Sequence, residues 1–338
     1  MLEFIRMKAE YKTEILTGIR PTGGLTVANY AGVVKPLIEL QKNGARPMIF
    51  VADLHALTDS EPSIAKKFTK ELVADYIALG LDPKKTIIYT QSAIECQINV
   101  LTNLLARHIS VAELLRVPTL KDKLKRNARP ETANALLLMY PVMMAADILI
   151  HRAKEVPVGE DQLAHIEVAR ELARRFNSRY GEIFPLPKAQ KVRSLKILSL
   201  KGRSKMSKSL PESAIFLTDA PKDAARKIKR AETATEGEMT ENLKSHIELA
   251  KELSDSAAEQ KQIDEIIEAH MRKKQVMDQF KSLFAKIVEE FLKKFQSRFN
   301  EVMRNQQRVD LILEEGAKIA RASANETLEI VKGALYGK

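Results

Sequence analysis

The chain has 338 residues, 45% of them hydrophobic and 29% charged, with a formal net charge of +11, a length that predicts about two domains with a full core. No apolar run approaches the roughly 18 residues of a membrane span, and the start MLEFIRMKAEYK, carrying Glu3 and Glu10, lacks the pattern of a secretory or transit leader. The single cysteine, Cys96, excludes an intramolecular disulfide or a cysteine-based metal site and fits a reducing, cytoplasmic location, while the excess of cations favours an anionic partner, nucleic acid first.

In chain order, EILTGI (14–19) reads as a strand, followed by the turn RPTGG and a helical pattern from Thr26 to Lys42 that Pro36 should kink or divide. A buried strand is predicted near Met48 to Ala52. An amphipathic helix follows over 63–80, ending at Gly80. TIIYTQS (86–92) is a third strand. Strands alternating with helices predict an α/β fold with a parallel sheet and right-handed crossovers, a Rossmann-like architecture.

Residues 97–150 read as a mostly helical insertion, interrupted by the basic segment KDKLKRNARP (121–130). EVPVGEDQ (155–162) predicts a short strand and turn feeding the helix LAHIEVARELARRFN, and SLKILSL (194–200) a last strand. From about residue 212 helical periodicity dominates. Leu283, Phe284, Ile287, Val288, Phe291, Leu292, Phe295 and Phe299 recur at spacings of three and four, the pattern of packing. The expected division is an α/β domain over 1–211, containing the insertion, and a mainly helical domain over 212–338.

Two segments carry chemistry. In TGIRPTGGLTVANY (17–30) a strand ends, glycines allow a tight turn and a helix begins. Backbone N–H groups at such a helix start attract phosphate. The segment matches neither GxxxxGK[ST] nor GxGxxG, and alone it is a weak signal. The second segment is KMSKS, which places Lys205 and Lys208 three apart after an extended run. Two ammonium groups there can stabilise the charge that builds on a departing pyrophosphate. The pair, in this order in one α/β domain, is far more specific than either part.

Together these segments resemble the two signatures, HIGH and KMSKS, of the class I aminoacyl-tRNA synthetases. The second is intact at Lys205, Met206, Ser207, Lys208 and Ser209. The first reads Thr26-Val27-Ala28-Asn29, similar to the T-x-G-N of the tryptophanyl branch, with Ala28 in place of glycine. GIRPTGGL, MYPVMMAADIL (139–149) and VPVGEDQLAH (156–165) also resemble the bacterial form of that branch. The similarity is strongest over residues 14–235.

The resemblance implies a homodimeric ligase using ATP with Mg²⁺, L-tryptophan and tRNA, with no protein metal site. It places Arg20, Thr22, Gly23, Thr26, Ala28 and Asn29 around ATP, with Gly159, Glu160 and Asp161 near the ribose. Lys205 and Lys208 would act on the leaving pyrophosphate, with Thr26 and Asn29 joining them in catalysis, and Met206, Ser207 and Ser209 complete the loop. For tryptophan it implies Asp147 as acceptor for the indole nitrogen, Met144, Ile148, Val156 and Val158 as an apolar slot, and Tyr140 and Gln162 at the amino group. His55 is a further site position, and Leu16 stands where a phenylalanine is common.

An indole presents one N–H on a flat apolar body, so a selective pocket needs one buried acceptor in an apolar slot. Such a pocket can reject smaller amino acids without an editing domain. On residue chemistry alone, Asp147 and His55 read equally as structural groups. His108, His151, His165 and His270 read as structural or surface residues. The runs 121–129 and 226–230 read as solvated faces or tRNA phosphate contacts. A tyrosyl enzyme of the same fold, or a paralogue that binds ATP or RNA without charging tRNA, are the alternatives.

Overall fold

The computed structural model describes residues 14–58, 61–126, 134–159, 162–191, 195–232, 234–235 and 237–337. Strand β1 spans Leu16–Ile19, β2 Met48–Val51 and β3 Ile87–Thr90, paired in parallel in the order β1-β2-β3. Strands β4 (Glu155–Val158) and β5 (Lys188–Lys191) form a second parallel pair, joined to the first sheet by a bridge between Ile15 and Glu155. The spatial order is therefore β3-β2-β1-β4-β5. The chain builds outward from β1 in one direction and then, from β4, in the other. The carboxyl ends of β1 and β4 flank the crevice that such a reversal creates, where open α/β sheets bind ligands.

The helical pattern after β1 is divided, as Pro36 predicts, but the break lies upstream of the proline. Helix α1 (Val27–Asn29) passes into a π-helical turn (Tyr30–Val34) before α2 (Lys35–Lys42). The Lys35 N–H reaches back five residues to the Tyr30 carbonyl. Widening the helix there relieves the clash between a proline ring and the carbonyl four residues earlier. Helix α3 (Asp53–Ala56) follows β2, and α4 (Pro62–Leu79) ends at Gly80, whose φ of +114° suits only a residue without Cβ.

The insertion folds as α5 (Glu95–Ala106), α6 (Val111–Leu114), α7 (Pro118–Arg126) and α8 (Ala135–Leu149). Helix α9 (Leu163–Tyr180) connects β4 to β5. After β5 come α10 (Pro221–Lys229), α11 (Glu241–Leu253), α12 (Ala257–Met271), α13 (Met277–Arg304) and α14 (Gln306–Tyr336).

One predicted strand is absent. Residues 195–200 form no strand beyond a single bridge from Leu198 to Lys205, and the fifth strand is instead the hydrophilic KAQK. The apolar run reads like a strand because Ile197, Leu198 and Leu200 are buried. Their backbones are satisfied by loops and side chains: Met206 N–H donates to Ile197 O at 2.9 Å, Leu200 N–H to Ser213 O at 2.8 Å and Leu198 N–H to Ser245 Oγ at 2.7 Å. Among the described residues the fifth strand pairs only with β4; Ala189 packs against the core while Lys188 is exposed.

Alternation along the strands splits the core into two layers. Ile49, Val51 and Ile88 join α2, α4 and helices α10 to α13, whereas Met48, Phe50, Ile87 and Tyr89 join α5, α8 and α9. The predicted stripe on α13 belongs to the first layer. Helix α14 returns to the second through Ala320, Ala324, Leu328 and Val331. It lies so close to β3 that a Cβ at Gly316 would sit 1.9 Å from the Ile88 carbonyl oxygen.

Candidate active site

A cleft of about 460 Å³ opens where β1 and β4 end. Its floor is apolar: Leu16 on β1, Met144 and Ile148 one turn apart on α8, and Val156 and Val158 on β4 all line it. Gly18 also lines it, and no side chain fits there, because a Cβ would meet the Phe50 ring at 2.3 Å. Arg20, Ala28, Asn29, Lys205 and Met206 also line it, as do Tyr140, Gly159 and Gln162. Glu160 and Asp161 fall outside the described residues.

The turn after β1 is built by local capping. Thr26 is the N-cap of α1; its Oγ1 accepts from the Asn29 N–H at 3.3 Å, and its own N–H donates to Asn29 Oδ1 at 2.9 Å. Thr26 is thereby buried and committed to the helix start. The segment beyond the KMSKS loop runs antiparallel alongside. Val27 N–H donates to Ile215 O at 3.0 Å and Leu217 N–H to Leu25 O at 2.9 Å. These bonds place the loop over the turn. Lys208 Nζ donates to Gly23 O at 2.8 Å. Met206 is buried in the core, anchoring the loop between its two lysines, and Ser207 and Ser209 bond to each other at 2.9 Å. Thr22 sits in the turn without lining the cleft, and burial pushes the Lys208 ammonium below the usual lysine range, against the pull of Asp75.

Asp147 lies behind the slot, not in its lining. Its Oδ2 lies 2.8 Å from His55 Nε2, and its Oδ1 accepts from Gln91 Nε2 at 2.7 Å. Gln91 Oε1 in turn accepts the His55 backbone N–H at 3.1 Å. Burial raises the Asp147 carboxyl, and the bonds from His55 and Gln91 oppose that rise. His55 does line the cleft.

A second polar chain, of Thr119, Tyr140, Gln162 and His165, also lines the cleft. Tyr140 Oη lies 2.8 Å from Thr119 Oγ1 and 3.0 Å from His165 Nε2, and His165 Nδ1 lies 2.8 Å from Gln162 Oε1. Burial raises the Tyr140 phenol. Lys123 Nζ sits 4.9 Å from the Tyr140 ring centre, a cation–π distance.

Sequence reasoning did not anticipate Gln91 or Thr119, read Lys123 only as part of the basic run 121–129, and placed His165 among structural or surface residues. The spacing of Gln162 and His165, three apart at a helix start, was the available signal. Gln91 and Thr119 carry none: Gln91 meets Asp147 across 56 residues, and Thr119 meets Tyr140 across 21 and His165 across 46. His151 bridges Tyr89 Oη and Ser323 Oγ, and His270 meets Glu238 O; both are buried structural groups. His108 is also buried, among Arg107, Arg175 and Arg179. In the basic run of α10, Lys227 is engaged with Asp219 at 2.8 Å and Arg226 with Asp223. The end of the other run, 127–129, lies outside the described residues.

A parallel sheet whose switch-point crevice joins an apolar slot to a capped helix start and a lysine loop defines a nucleotide-dependent activating enzyme of the class I synthetase type. The family model for class I tRNA synthetases (W and Y) matches residues 8–293. The chain is 36% identical to the tryptophan–tRNA ligase of Bacillus subtilis over 332 residues, covering 96% of this chain and 98% of that one. It resembles the crystal structure of tryptophanyl-tRNA synthetase from Campylobacter jejuni complexed with ADP and tryptophan (TM-score 0.80, 29% identity, 96% and 99% coverage). It likewise resembles the Mycoplasma pneumoniae enzyme (TM-score 0.84, 29% identity, 96% and 98% coverage). The chain belongs to the class I tRNA synthetases for tryptophan and tyrosine, and within them to the bacterial-type tryptophanyl branch.

Proposed function

We propose that the protein is a tryptophan–tRNA ligase that converts L-tryptophan and ATP to tryptophanyl-adenylate and pyrophosphate, then passes the amino acid to the terminal adenosine of tRNA(Trp). The observation that carries this reading is the single cleft in which the apolar slot and both signature segments meet. The substrate carboxylate attacks the α-phosphorus, the bond to the bridging oxygen breaks, and pyrophosphate leaves. No side-chain nucleophile is needed; positioning and electrostatics supply the rate.

The adenosine lies against the turn at Thr22, Gly23 and Ala28, with Asn29 and the α1 start toward the phosphates and Gly159 to Asp161 near the ribose. Lys205 and Lys208 take the charge of the leaving pyrophosphate, and Arg20 supports them. Among the described residues no cluster of His, Cys, Asp or Glu could hold a metal. Mg²⁺ is therefore proposed to enter with ATP, held by phosphate oxygens. The indole enters between Leu16, Met144, Ile148, Val156 and Val158. Each Asp147 oxygen keeps an acceptor direction beyond its present bond, and one of these is proposed to take the indole N–H, with His55 adjusting. Tyr140 and Gln162 hold the amino group, backed by Thr119 and His165.

Among the described residues no helix is long and apolar enough to cross a membrane, and a cytoplasmic location is proposed. A homodimer is proposed on the helical insertion, where Val100, Val111, Leu115 and Leu136 leave large apolar side chains exposed. The helical region 212–338 is assigned to the tRNA anticodon. Amino-acid-dependent ATP–pyrophosphate exchange across all twenty amino acids tests the reading. Exchange with tryptophan alone supports it, exchange with tyrosine moves the slot to the tyrosyl enzyme, and no exchange by folded protein refutes it.

A further inference from the structure

Lys205 lines the cleft, yet among the described residues no hydrogen bond or ion pair holds its ammonium. The other signature lysine, Lys208, has Gly23 O at 2.8 Å. An ammonium placed like that of Lys205 gives up no protein bond on meeting phosphate, but it sits on a flexible four-carbon stem. Its reach is therefore set by its backbone.

That backbone is the return arm of a short hairpin. Leu198 and Lys205 form an antiparallel bridge, flanked by Met206 N–H to Ile197 O at 2.9 Å and Ser199 N–H to Ser204 O at 2.8 Å. The tip turns at Gly202, whose φ is +76°. A ladder this short is marginal by itself, so what fixes it lies outside it.

The fixing groups lie on α11. Asn242, Ser245 and His246, spaced three and four residues apart, share one face of that helix. All three are buried, and all three turn a polar side chain to the hairpin's backbone. Asn242 Nδ2 donates to Gly202 O at the tip, at 2.8 Å. Ser245 Oγ accepts at 2.7 Å from the N–H of Leu198, the residue bridged to Lys205. His246 Nε2 donates to Ser199 O at 3.3 Å, and its ring stacks on Phe284 of α13. Ahead of α11, Glu232 Oε2 accepts the Gly202 N–H at 3.0 Å. Buried polar side chains cost stability unless they are bonded. Three on one helix face, all bonded to one loop, make a built contact in which α11 sets the register of the hairpin.

We propose that Asn242 and Ser245 are positioning residues for Lys205. They hold the hairpin on α11 so that the Lys205 ammonium meets the leaving pyrophosphate in the cleft. The inference rests on the ligase reading above.

The test is a double-mutant cycle in tryptophan-dependent pyrophosphate exchange, run on the intact protein with MgATP. Asn242→Ala and Ser245→Ala are each made in wild type and in Lys205→Ala, and urea denaturation identifies the folded variants. Each substitution in wild type should lower kcat by about tenfold to a hundredfold, the scale of a misplaced reacting group. Tryptophan affinity, read by equilibrium binding, should be unchanged. In Lys205→Ala neither substitution should lower kcat further, because residues that act through one group lose their effect with it. A contact that merely stabilised the fold would show the same loss in both backgrounds. Ser245→Ala removes a single oxygen, and it carries the cycle if Asn242→Ala does not fold. Wild-type kcat in both single variants, a matching loss of tryptophan affinity, or losses that multiply fully with Lys205→Ala overturn the proposal and leave the ligase reading standing. If no protein exchanges pyrophosphate, wild type included, the ligase reading falls. The same cycle read on MgATP affinity by calorimetry then decides the positioning role: weakening that vanishes in Lys205→Ala retains it, and additive or absent weakening overturns it.

Discussion

Replacing Gln91 with leucine isolates what holds Asp147. The wild-type amide makes two bonds at once, donating to Asp147 Oδ1 at 2.7 Å and accepting the His55 N–H at 3.1 Å. Reversing the amide would set its oxygen against the carboxylate, so its orientation is dictated by its partners. Leucine keeps the volume and removes both bonds. Asp147 is 2% exposed and Gln91 1%, so water cannot easily replace what is lost. An unsatisfied buried donor or acceptor costs about 1–3 kcal/mol, more for a charged group. The two losses share one network and will not add fully, and a destabilisation of about 3 kcal/mol is expected. Asp147 would keep only its contact with His55 and could swing about it. A loss of about 1.4 kcal/mol in tryptophan binding corresponds to a tenfold rise in KM, and a rise of about tenfold to a hundredfold is expected in pyrophosphate exchange. KM for ATP should stay near wild type, because Gln91 bonds to neither signature segment. Urea denaturation gives the stability term and exchange kinetics the split between substrates. Wild-type stability together with an unchanged tryptophan KM would refute the reasoning.

Asp147→Ala should weaken discrimination against phenylalanine and tyrosine far more than it weakens ATP binding; equal losses would remove it from the indole role. Lys208→Ala should slow adenylate formation in single-turnover assays while tryptophan affinity, read by equilibrium binding, is unchanged. Gly316→Leu forces a side chain into the Ile88 backbone, and chemical denaturation should show a loss of about 2 kcal/mol or more. His151 is held neutral by burial, its imidazole pushed down to about 3. The unfolded chain binds that proton from about pH 6.5 downward, so the contribution is complete above 6.5 and is lost as pH falls toward 3. His151→Gln should flatten the urea midpoint between pH 6.5 and 4, and an unchanged slope would exclude His151 as its source.

The sequence by itself determined the local and periodic features. The alternation of strands and helices, the stop at Gly80 and the stripe on α13 follow from local spacing and turn chemistry, and the two signature segments are legible as contiguous motifs that resemble those of a known family. It also determined that Pro36 must disturb its helix, though the strain relaxes one turn earlier, at the π-turn. The run SLKILSL misled because burial alone makes an apolar pattern, whether the backbone pairs with a neighbouring strand or with loops and a serine side chain. The true fifth strand is hydrophilic and carries no such signal.

Only the tertiary structure decided which distant residues share an environment. Gln91 meets Asp147 across 56 residues, His55 meets it across 92, and Lys208 meets Gly23 across 185. It also set the two-layer core, in which the C-terminal helices complete one face of the sheet and α14 returns to the other. Burial and charge pairing are properties of the packed chain, and no local pattern encodes them.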